Sequence, residues 1–294
     1  ALELLHQIAE GEGFGAIVGK GIKHCIDQMA EMHAARTGRE IAEVRAELEE
    51  FGMQAKGLEF SVYVTKESLA QQGGYGFALK GPQHDEAWLI FLDQVNNEMP
   101  TFELKAKALR WFPLFRTWFN AMGLCKLPWI DVRHPDAGDT VDPAKNMPNA
   151  EYFAKYAGAV RGKDMNVDDL IAESERLYTI QKLFNLRQGL GRREHDAIPM
   201  RAMGPVFWNE YEQYAQRYDA EIVEADGEEA LGKMSNEEKL ARVKVLRKER
   251  FWKLADAVYE ERGWDADGVP KPELLEKVGL TDPQFTQVAD RARQ

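Results

Sequence analysis

Apolar residues in this chain recur mainly at the three- and four-residue spacing of an α-helix, and this period restricts the folds open to it. One such run starts after Asn166, a capping residue followed by first-turn acids, and stops at Gly189. Another starts at Ser235, which fits a capping box with Glu238, and ends at Gly263. Both runs predict long amphipathic helices.

The same period predicts further helices over residues 16–32, 41–51 and 101–119. Pro113 should kink the last of these, because proline lacks the N–H that would bond to the preceding turn. Strand signals are scarce, and only residues 59–64 alternate clearly between apolar and polar side chains. The chain is therefore predicted to be all-α and multihelical, without the alternation of strands and helices that builds a parallel sheet.

Charge and composition exclude two broad classes. The formal net charge is −11 over 294 residues, whereas a general nucleic-acid binder needs a basic face that displaces counterions. No apolar run approaches the roughly 18–20 residues that a membrane span needs. The two cysteines, Cys25 and Cys125, cannot form a disulfide framework, so the reducing cytoplasm is the expected location.

A glycine-rich stretch, Gly73-Gly-Tyr-Gly76, is followed by Lys80-Gly-Pro-Gln-His84 and then by a helix predicted to begin near Asp85. Glycines there would let the backbone approach a ligand, and a helix N-terminus favours anionic groups. His84, at the rim of that helix, could donate a proton, accept one or act as a ligand. The alternative is a histidine in a surface loop with a polar partner.

The segment Gly123-Leu-Cys125-Lys-Leu-Pro-Trp129 places a cysteine in a tight turn after a helix and beside a lysine. A nearby cation and exposed amides favour the thiolate form that binds metals, although a lone cysteine can instead be a small buried hydrophobe. No second cysteine lies near it, so the cysteines of this chain cannot complete a metal site. Cys25 falls at an apolar helical position and is predicted to pack in the core. Periodicity and spacing alone do not reveal the function.

Several segments, in order along the chain, resemble the second half of tungsten aldehyde:ferredoxin oxidoreductases. The tail is the most specific, because Glu261-Arg-Gly-Trp-Asp-Ala-Asp-Gly-Val-Pro270 is followed by Leu274-Leu-Glu-Lys-Val-Gly-Leu280, similar to the end of that family. The other matching segments are Gly11-Glu-Gly-Phe-Gly15 with Gly19-Lys-Gly21, Lys56-Gly-Leu-Glu-Phe60, Asn120-Ala-Met-Gly-Leu-Cys125 and Leu183-Phe-Asn-Leu-Arg-Gln-Gly189.

The resemblance implies two helical units, residues 1–55 as the end of a middle domain and residues 56–294 as the C-terminal domain with the Gly-Leu-Cys motif. In that family such domains clamp a tungsten bis-pterin cofactor and a 4Fe-4S cluster against an N-terminal sheet domain. That N-terminal half supplies the other three cluster cysteines, and this sequence does not contain their motif.

By the same resemblance, Cys125 is the fourth ligand of the cluster. Leu124 and Lys126 would contact the pterin through their backbone. Asn120 stands where the family usually has aspartate, so a carboxylate hydrogen bond to the pterin becomes an amide one.

Residues on either side of Asp85 also resemble residues of the family's active site. Lys80 resembles the basic residue four positions before the active-site histidine of the family. His84 resembles that histidine, a proton donor or acceptor beside the tungsten. Glu86 occupies the position of the family's usual lysine, which is a departure at one pterin contact.

The implied function is that of a large-subunit portion of an aldehyde oxidoreductase, inactive on its own, which converts an aldehyde to a carboxylic acid and passes electrons through the cluster. The implied partners are the N-terminal half of the same enzyme, ferredoxin or an iron–sulfur electron-transfer subunit, a small aldehyde and further copies in an oligomer. Two alternatives are a tungsten reductase of the benzoyl-CoA reductase type and a non-catalytic helical fragment. The spacing from Lys80 to His84, together with Gly-Leu-Cys, favours the aldehyde branch.

Overall fold

The computed structural model describes residues 1–61, 63, 65–125 and 150–294, and α-helices dominate this part of the chain. A π-helical turn, Phe91–Val95, and a 3-10 turn, Arg193–Asp196, lie between them. Two short antiparallel strands, β1 (Gln54–Ala55) and β2 (Leu58–Glu59), pair with each other. The α-helices are α1 (Leu2–Glu10), α2 (Gly15–Val18), α3 (Ile22–Thr37), α4 (Ile41–Phe51), α5 (Leu69–Gly76), α6 (Phe102–Ala121), α7 (Ala150–Arg161), α8 (Val167–Arg187), α9 (Met200–Met203), α10 (Trp208–Gln213), α11 (Ala215–Asp226), α12 (Glu228–Lys233), α13 (Asn236–Glu261), α14 (Pro272–Lys277) and α15 (Pro283–Ala292).

The prediction of an all-α fold is confirmed, and side-chain caps begin its longest helices. Asn166 accepts the N–H of Asp169 at 2.9 Å, while Asp169 accepts the N–H of Asn166 at 3.0 Å at the start of α8. Ser235 and Glu238 exchange the same pair of bonds before α13. Each reciprocal pair of bonds is a capping box, which satisfies two backbone N–H donors at the helix start. The predicted starting points of these two helices are therefore correct.

The single helix predicted over residues 16–32 is wrong, because α2 ends at Val18 and α3 begins only at Ile22. Between them Gly21 has a φ of 93°, a conformation that favours glycine. The carboxylate of Glu59 then accepts the N–H of Ile22 at 2.8 Å. A cap supplied from such a distant position leaves no local signal in the sequence.

The strand predicted over residues 59–64 is also wrong in extent, since Leu58–Glu59 is the paired part. Its partner is Gln54–Ala55, and Lys56 and Gly57 form the two-residue turn between them with φ values of 55° and 81°. Two left-handed residues are what a type I′ hairpin turn requires. The hairpin crosses the predicted boundary between residues 55 and 56, and the domain division itself stays a prediction.

Pro113 lies inside α6, where its missing N–H leaves the carbonyl of Leu109 without the usual helical partner. The buried guanidinium of Arg262 takes that place, since its Nη2 donates to the Leu109 oxygen at 2.8 Å. The Cζ atom of Arg262 also lies 5.1 Å from the ring centre of Tyr178 and 4.9 Å from that of Trp264. Arg262 therefore joins the chain just after α13 to α6 at the carbonyl that the proline leaves without a helical donor.

The glycine-rich stretch before residue 77 is the end of a buried helix, α5. A Cβ atom on Gly73 would lie 2.6 Å from Cδ1 of Leu109 and 3.0 Å from Cδ2 of Leu254. A Cβ atom on Gly76 would lie 2.8 Å from the carbonyl oxygen of Asp196. These two glycines therefore allow close approach between parts of the protein, and the interpretation that they admit a ligand is wrong.

The main core surrounds α6, whose aromatic stripe is buried as predicted. Its five large rings are each at most 8% exposed, and they pack with residues of α5, α7, α8 and α13. The members of the stripe are Trp111, Phe112, Phe115, Trp118 and Phe119. Within the described ranges, no helix combines the length and apolar character that a membrane span requires.

Lys56 and Asp196 form a buried ion pair that joins the β-hairpin to the 3-10 turn. The Nζ atom of Lys56 lies 2.9 Å from Oδ1 of Asp196, and the side chains are 5% and 1% exposed. The hydroxyl of Tyr259 donates to Oδ2 of Asp196 at 2.6 Å. Burial disfavours the ionised carboxyl, but Lys56 and Lys182 outweigh it and hold the pKa of Asp196 below its ordinary value. The carboxyl group of Asp196 therefore stays ionised inside the protein.

Lys56→Met is expected to lower the free energy of unfolding by about 3–5 kcal/mol, because it leaves a buried carboxylate without its closest cation. Urea denaturation followed by circular dichroism measures this change. Lys233→Met is the matched control, since Lys233 pairs with Glu229 at 2.6 Å on the surface, where the side chains are 73% and 86% exposed and such pairs contribute little. Equal losses in the two variants would show that the buried pair does not stabilise the fold.

Candidate functional site

The predicted catalytic residue His84 lies in a turn between α5 and the π-helical turn Phe91–Val95. The helix predicted to begin near Asp85 is wrong, because residues 84 and 85 belong to that turn and the next helical segment starts near residue 90. The carbonyl of Pro82 accepts the N–H of Ser61 at 3.2 Å. This bond holds the turn against the chain that follows β2.

The hydroxyl of Ser61 has three hydrogen-bond neighbours, two of which belong to His84. The backbone N–H of His84 donates to Ser61 Oγ at 3.2 Å, and the ring Nδ1 lies 3.0 Å from the same oxygen. The phenolic oxygen of Tyr75 lies 2.9 Å from it. The imidazole is thus held through Nδ1, and Nε2 has no hydrogen-bond partner among the residues that the structure describes.

Two aromatic side chains fix the plane of the imidazole. The rings of His84 and Tyr63 lie 4.7 Å apart between centres at an interplanar angle of 70°, and those of His84 and Trp88 lie 5.3 Å apart at 71°. Tyr63 and Trp88 also meet edge to face, at 4.5 Å. Edge-to-face contacts of this kind are favourable, so the half-buried histidine has a defined orientation.

Two charged neighbours act on the titration of His84 in opposite directions. Burial lowers its pKa, Asp85 raises it and Lys80 lowers it, and the net result lies below the ordinary value. The imidazole is therefore neutral at pH 7. Lys80 itself is exposed and forms an ion pair with Asp85 at 2.5 Å, so its ammonium group is at the surface beside the histidine.

Glu86 has a different environment from its neighbours. Its side chain is only 4% exposed, so it lies inside this chain rather than on the surface that carries Lys80. The departure from the family's usual lysine is thus accompanied by a side chain that contacts the protein interior.

The second group of predicted residues lies at the end of α6, in a turn built by hydrogen bonds and one glycine. The N–H of Leu124 donates to the Phe119 carbonyl at 3.0 Å, and the N–H of Gly123 donates to the Asn120 carbonyl at 3.2 Å. Gly123 has a φ of 67°. This is the Schellman arrangement, which ends a helix sharply through a left-handed glycine.

The turn presents its side chains to the surface. Asn120 and Cys125 are exposed, and Leu124 is 38% exposed. Lys126, the remaining predicted pterin contact, lies outside the described residues. Among the residues that are described, no group of three or more His, Cys, Asp or Glu side chains is arranged to hold a metal ion. A metal ion bound by Cys125 would therefore need ligands from outside the described residues.

Cys25 is different from Cys125 in both burial and chemistry. Its half-buried thiol donates to the Ile17 carbonyl at 3.7 Å. Burial raises the pKa of this thiol, and the carboxylate of Glu59 raises it further. Cys25 is thus held as a thiol, but it is only half-buried and belongs to none of the core clusters of the described residues, so the predicted core packing is not confirmed.

Ser61 and Tyr75 were missed as site residues. Both were within segments already singled out, Ser61 in the predicted strand and Tyr75 in the glycine-rich stretch. Their relation to His84 depends on how the hairpin, α5 and the turn meet in space. The alternation of residues 59–64 hinted that the chain is extended there, but it did not indicate which side chain would face the histidine.

Comparison with known proteins identifies the family of the chain. The family model for domains 2 and 3 of aldehyde ferredoxin oxidoreductase matches residues 1–280. Tungsten-containing aldehyde ferredoxin oxidoreductases from Pyrococcus horikoshii and Pyrococcus abyssi are each 23% identical to the chain over 283 residues. The aligned region is 95% of this chain and 36% of either relative, so the chain spans about a third of the length of these curated relatives.

A solved structure shows the same overall fold. It is the active-site complex BamBC of benzoyl coenzyme A reductase, determined with 1,5-dienoyl-CoA, and it aligns with a TM-score of 0.56 at 16% sequence identity. The alignment covers 100% of this chain and 40% of that one. At this identity the similarity concerns the arrangement of the helices and not the chemistry.

Proposed function

The chain belongs to the aldehyde ferredoxin oxidoreductase family, and from that premise we propose that it forms the helical part of an enzyme that oxidises aldehydes to carboxylic acids. The observation that supports this best is the accessibility of the two motif positions. Cys125 is exposed after a hydrogen-bonded turn, and His84 is held by one ring nitrogen while the other has no partner among the described residues.

The donor groups present fit the proposed cofactors in part. The exposed thiol of Cys125 suits iron as a thiolate, and one thiolate is a quarter of the ligand set of a 4Fe-4S cluster. The exposed amide of Asn120 and the ammonium group of Lys80 would hold polar and anionic parts of a tungsten bis-pterin. Such a cofactor, when bound, would polarise the carbonyl group of the aldehyde and accept its electrons.

The contribution of this chain to the chemistry is then to bind and to orient. Tyr63 and Trp88 hold the plane of the His84 imidazole, and the Ser61 hydroxyl holds its Nδ1. Nε2 is the ring nitrogen left for a substrate or cofactor oxygen. His84 would hold or move a proton at that atom during aldehyde oxidation.

The proposed partners are suggested by the length of this chain relative to that of its curated relatives. The chain spans 36% of the curated relatives, so we propose that an N-terminal part supplies the remaining cluster ligands and the opposite face of the cofactor site. Ferredoxin or an iron–sulfur subunit would accept the electrons, and the assembly would act in the cytoplasm as an oligomer.

Reduction of the benzoyl coenzyme A reductase type stays the second candidate, since a complex of such a reductase has the same fold, although the fold alone does not favour that reaction. The sequence relatives, which are named as aldehyde oxidoreductases, favour oxidation. Both candidates would use the same helical fold.

Purification of the native protein from its host distinguishes these possibilities. Its intact mass should exceed that of this chain, tungsten and iron should co-purify, and short aldehydes should reduce a viologen dye. Turnover of an aromatic coenzyme A thioester with a reduced dye, without aldehyde oxidation, would establish the reductase instead. A native protein without tungsten and iron would refute both and favour a non-catalytic role.

A further inference from the structure

The hydrogen bonds that the described residues make to the Ser61 hydroxyl can be assigned, because a hydroxyl has one hydrogen and two lone pairs. Three groups surround Ser61 Oγ at hydrogen-bond distance: the backbone N–H of His84, the phenol of Tyr75 and the ring Nδ1 of His84. The backbone N–H can only donate, so it occupies one lone pair. The assignment of the other two bonds depends on the Tyr75 proton.

Tyr75 keeps its proton and must donate it. The side chain is 0% exposed, and burial raises the pKa of its phenol. A buried O–H without an acceptor is costly, and the acceptor within reach among the described residues is Ser61 Oγ at 2.9 Å. The second lone pair of Ser61 is thereby occupied, which leaves its single hydrogen for Nδ1 of His84.

We propose that Ser61 and Tyr75 are positioning residues that hold His84 as the neutral tautomer with its proton on Nε2, so that the ring presents an N–H to the active site. This inference rests on the role given to His84 in the proposed function. The tautomer itself follows from the geometry alone, whatever reaction the enzyme catalyses.

The same arrangement resists formation of the imidazolium ion. A proton on Nδ1 would have to point at Ser61 Oγ, whose lone pairs are already occupied. Ser61 would then turn its hydrogen toward Tyr75, and the phenol would lose its acceptor. The other groups that face the ring act through charge or packing: Asp85 favours the cation, Lys80 disfavours it, and Tyr63 and Trp88 pack edge to face against the imidazole.

A neutral imidazole that presents N–H can donate a hydrogen bond to an oxygen that gains negative charge, and it does not act as a base at that atom. His84 would therefore stabilise charge on the carbonyl oxygen rather than remove a proton. As a consequence, kcat should stay level as the pH rises above the pKa of His84. An imidazolium acid would instead lose activity over that range.

Nitrogen NMR of the protein labelled with 15N-histidine tests the tautomer without any cofactor. The signals of His84 are identified as those that disappear in His84→Asn. We expect Nε2 of His84 to be protonated and Nδ1 to be an unprotonated acceptor. Ser61→Ala should shift the tautomer ratio toward protonated Nδ1 by about twofold to tenfold, the effect of one net hydrogen bond. Tyr75→Phe should shift it less, and Ser61→Thr, which keeps the hydroxyl, should retain the wild-type ratio.

Kinetics of the holoenzyme complete the test. Ser61→Ala is expected to lower kcat by about tenfold with KM unchanged, and Ser61→Thr should recover most of the loss. A wild-type ring with its proton on Nδ1 would overturn the inference. If the NMR result is as expected but turnover is normal in His84→Asn, the tautomer assignment would be supported and the proposed role of His84 would be refuted.

Discussion

His84→Asn is expected to lower kcat by about 10²–10³-fold, the usual cost of losing one hydrogen-bond donor to an oxygen that gains negative charge, while the tungsten content stays close to wild type. The asparagine amide can keep a hydrogen bond to Ser61, but it is too short to present a donor where Nε2 lies. The half-buried ring contributes little else that a cofactor could depend on. Steady-state oxidation of a short aldehyde, together with metal analysis of the same preparation, measures both quantities.

His84→Gln sharpens the result, because the longer amide carries an N–H near the position of Nε2. If donation of a hydrogen bond is the role of His84, the glutamine variant should retain more activity than the asparagine variant. Equal losses would indicate transfer of the proton itself. His6→Asn, at an exposed position on α1, is the control and should behave as wild type. Near-normal turnover in His84→Asn, or loss of tungsten, would contradict the role.

The local rules of helix formation predicted most of the fold. The starts of α8 and α13 could be predicted from the sequence, because both partners of each capping bond lie within one helical turn of each other. The errors arose where the partner is distant. Glu59 caps α3 from another element, and Gly73 belongs to a helix because Leu109 and Leu254 lie against it. Propensity alone counts such glycines as helix breakers, so tertiary packing overrode it.

The candidate site was predictable only through resemblance. His84 and Cys125 matched family motifs, whereas Ser61 and Tyr75 are 23 and 9 positions before His84 and share no period with it. Their bonds exist because the chain after β2, α5 and the turn at residue 84 converge. The role of Arg262 was equally hidden in the sequence. Arg262 matched as part of the tail motif, but its bond to the Leu109 carbonyl replaces a helical bond that Pro113 cannot make in another helix.

The cluster ligand is tested most directly by substitution of the two cysteines. Cys125→Ser is expected to remove most of the iron from the native enzyme, because a serine alkoxide is a poor substitute for thiolate at iron and an exposed turn offers no neighbouring replacement among the described residues. The rate of electron transfer to the viologen dye should fall as the iron is lost. Iron analysis and the visible absorption of the cluster measure the loss.

Cys25→Ser is the matched control for the same chemical change. The Cys25 thiol donates to a carbonyl, and its pKa is raised by burial and by Glu59, so a hydroxyl can replace it and iron should stay bound. Cys125 is exposed, so its substitution should alter the thermal unfolding midpoint of the metal-free protein very little, which separates loss of a ligand from loss of the fold. Iron content that is unchanged in Cys125→Ser would show that the Gly-Leu-Cys turn of this chain does not bind the cluster.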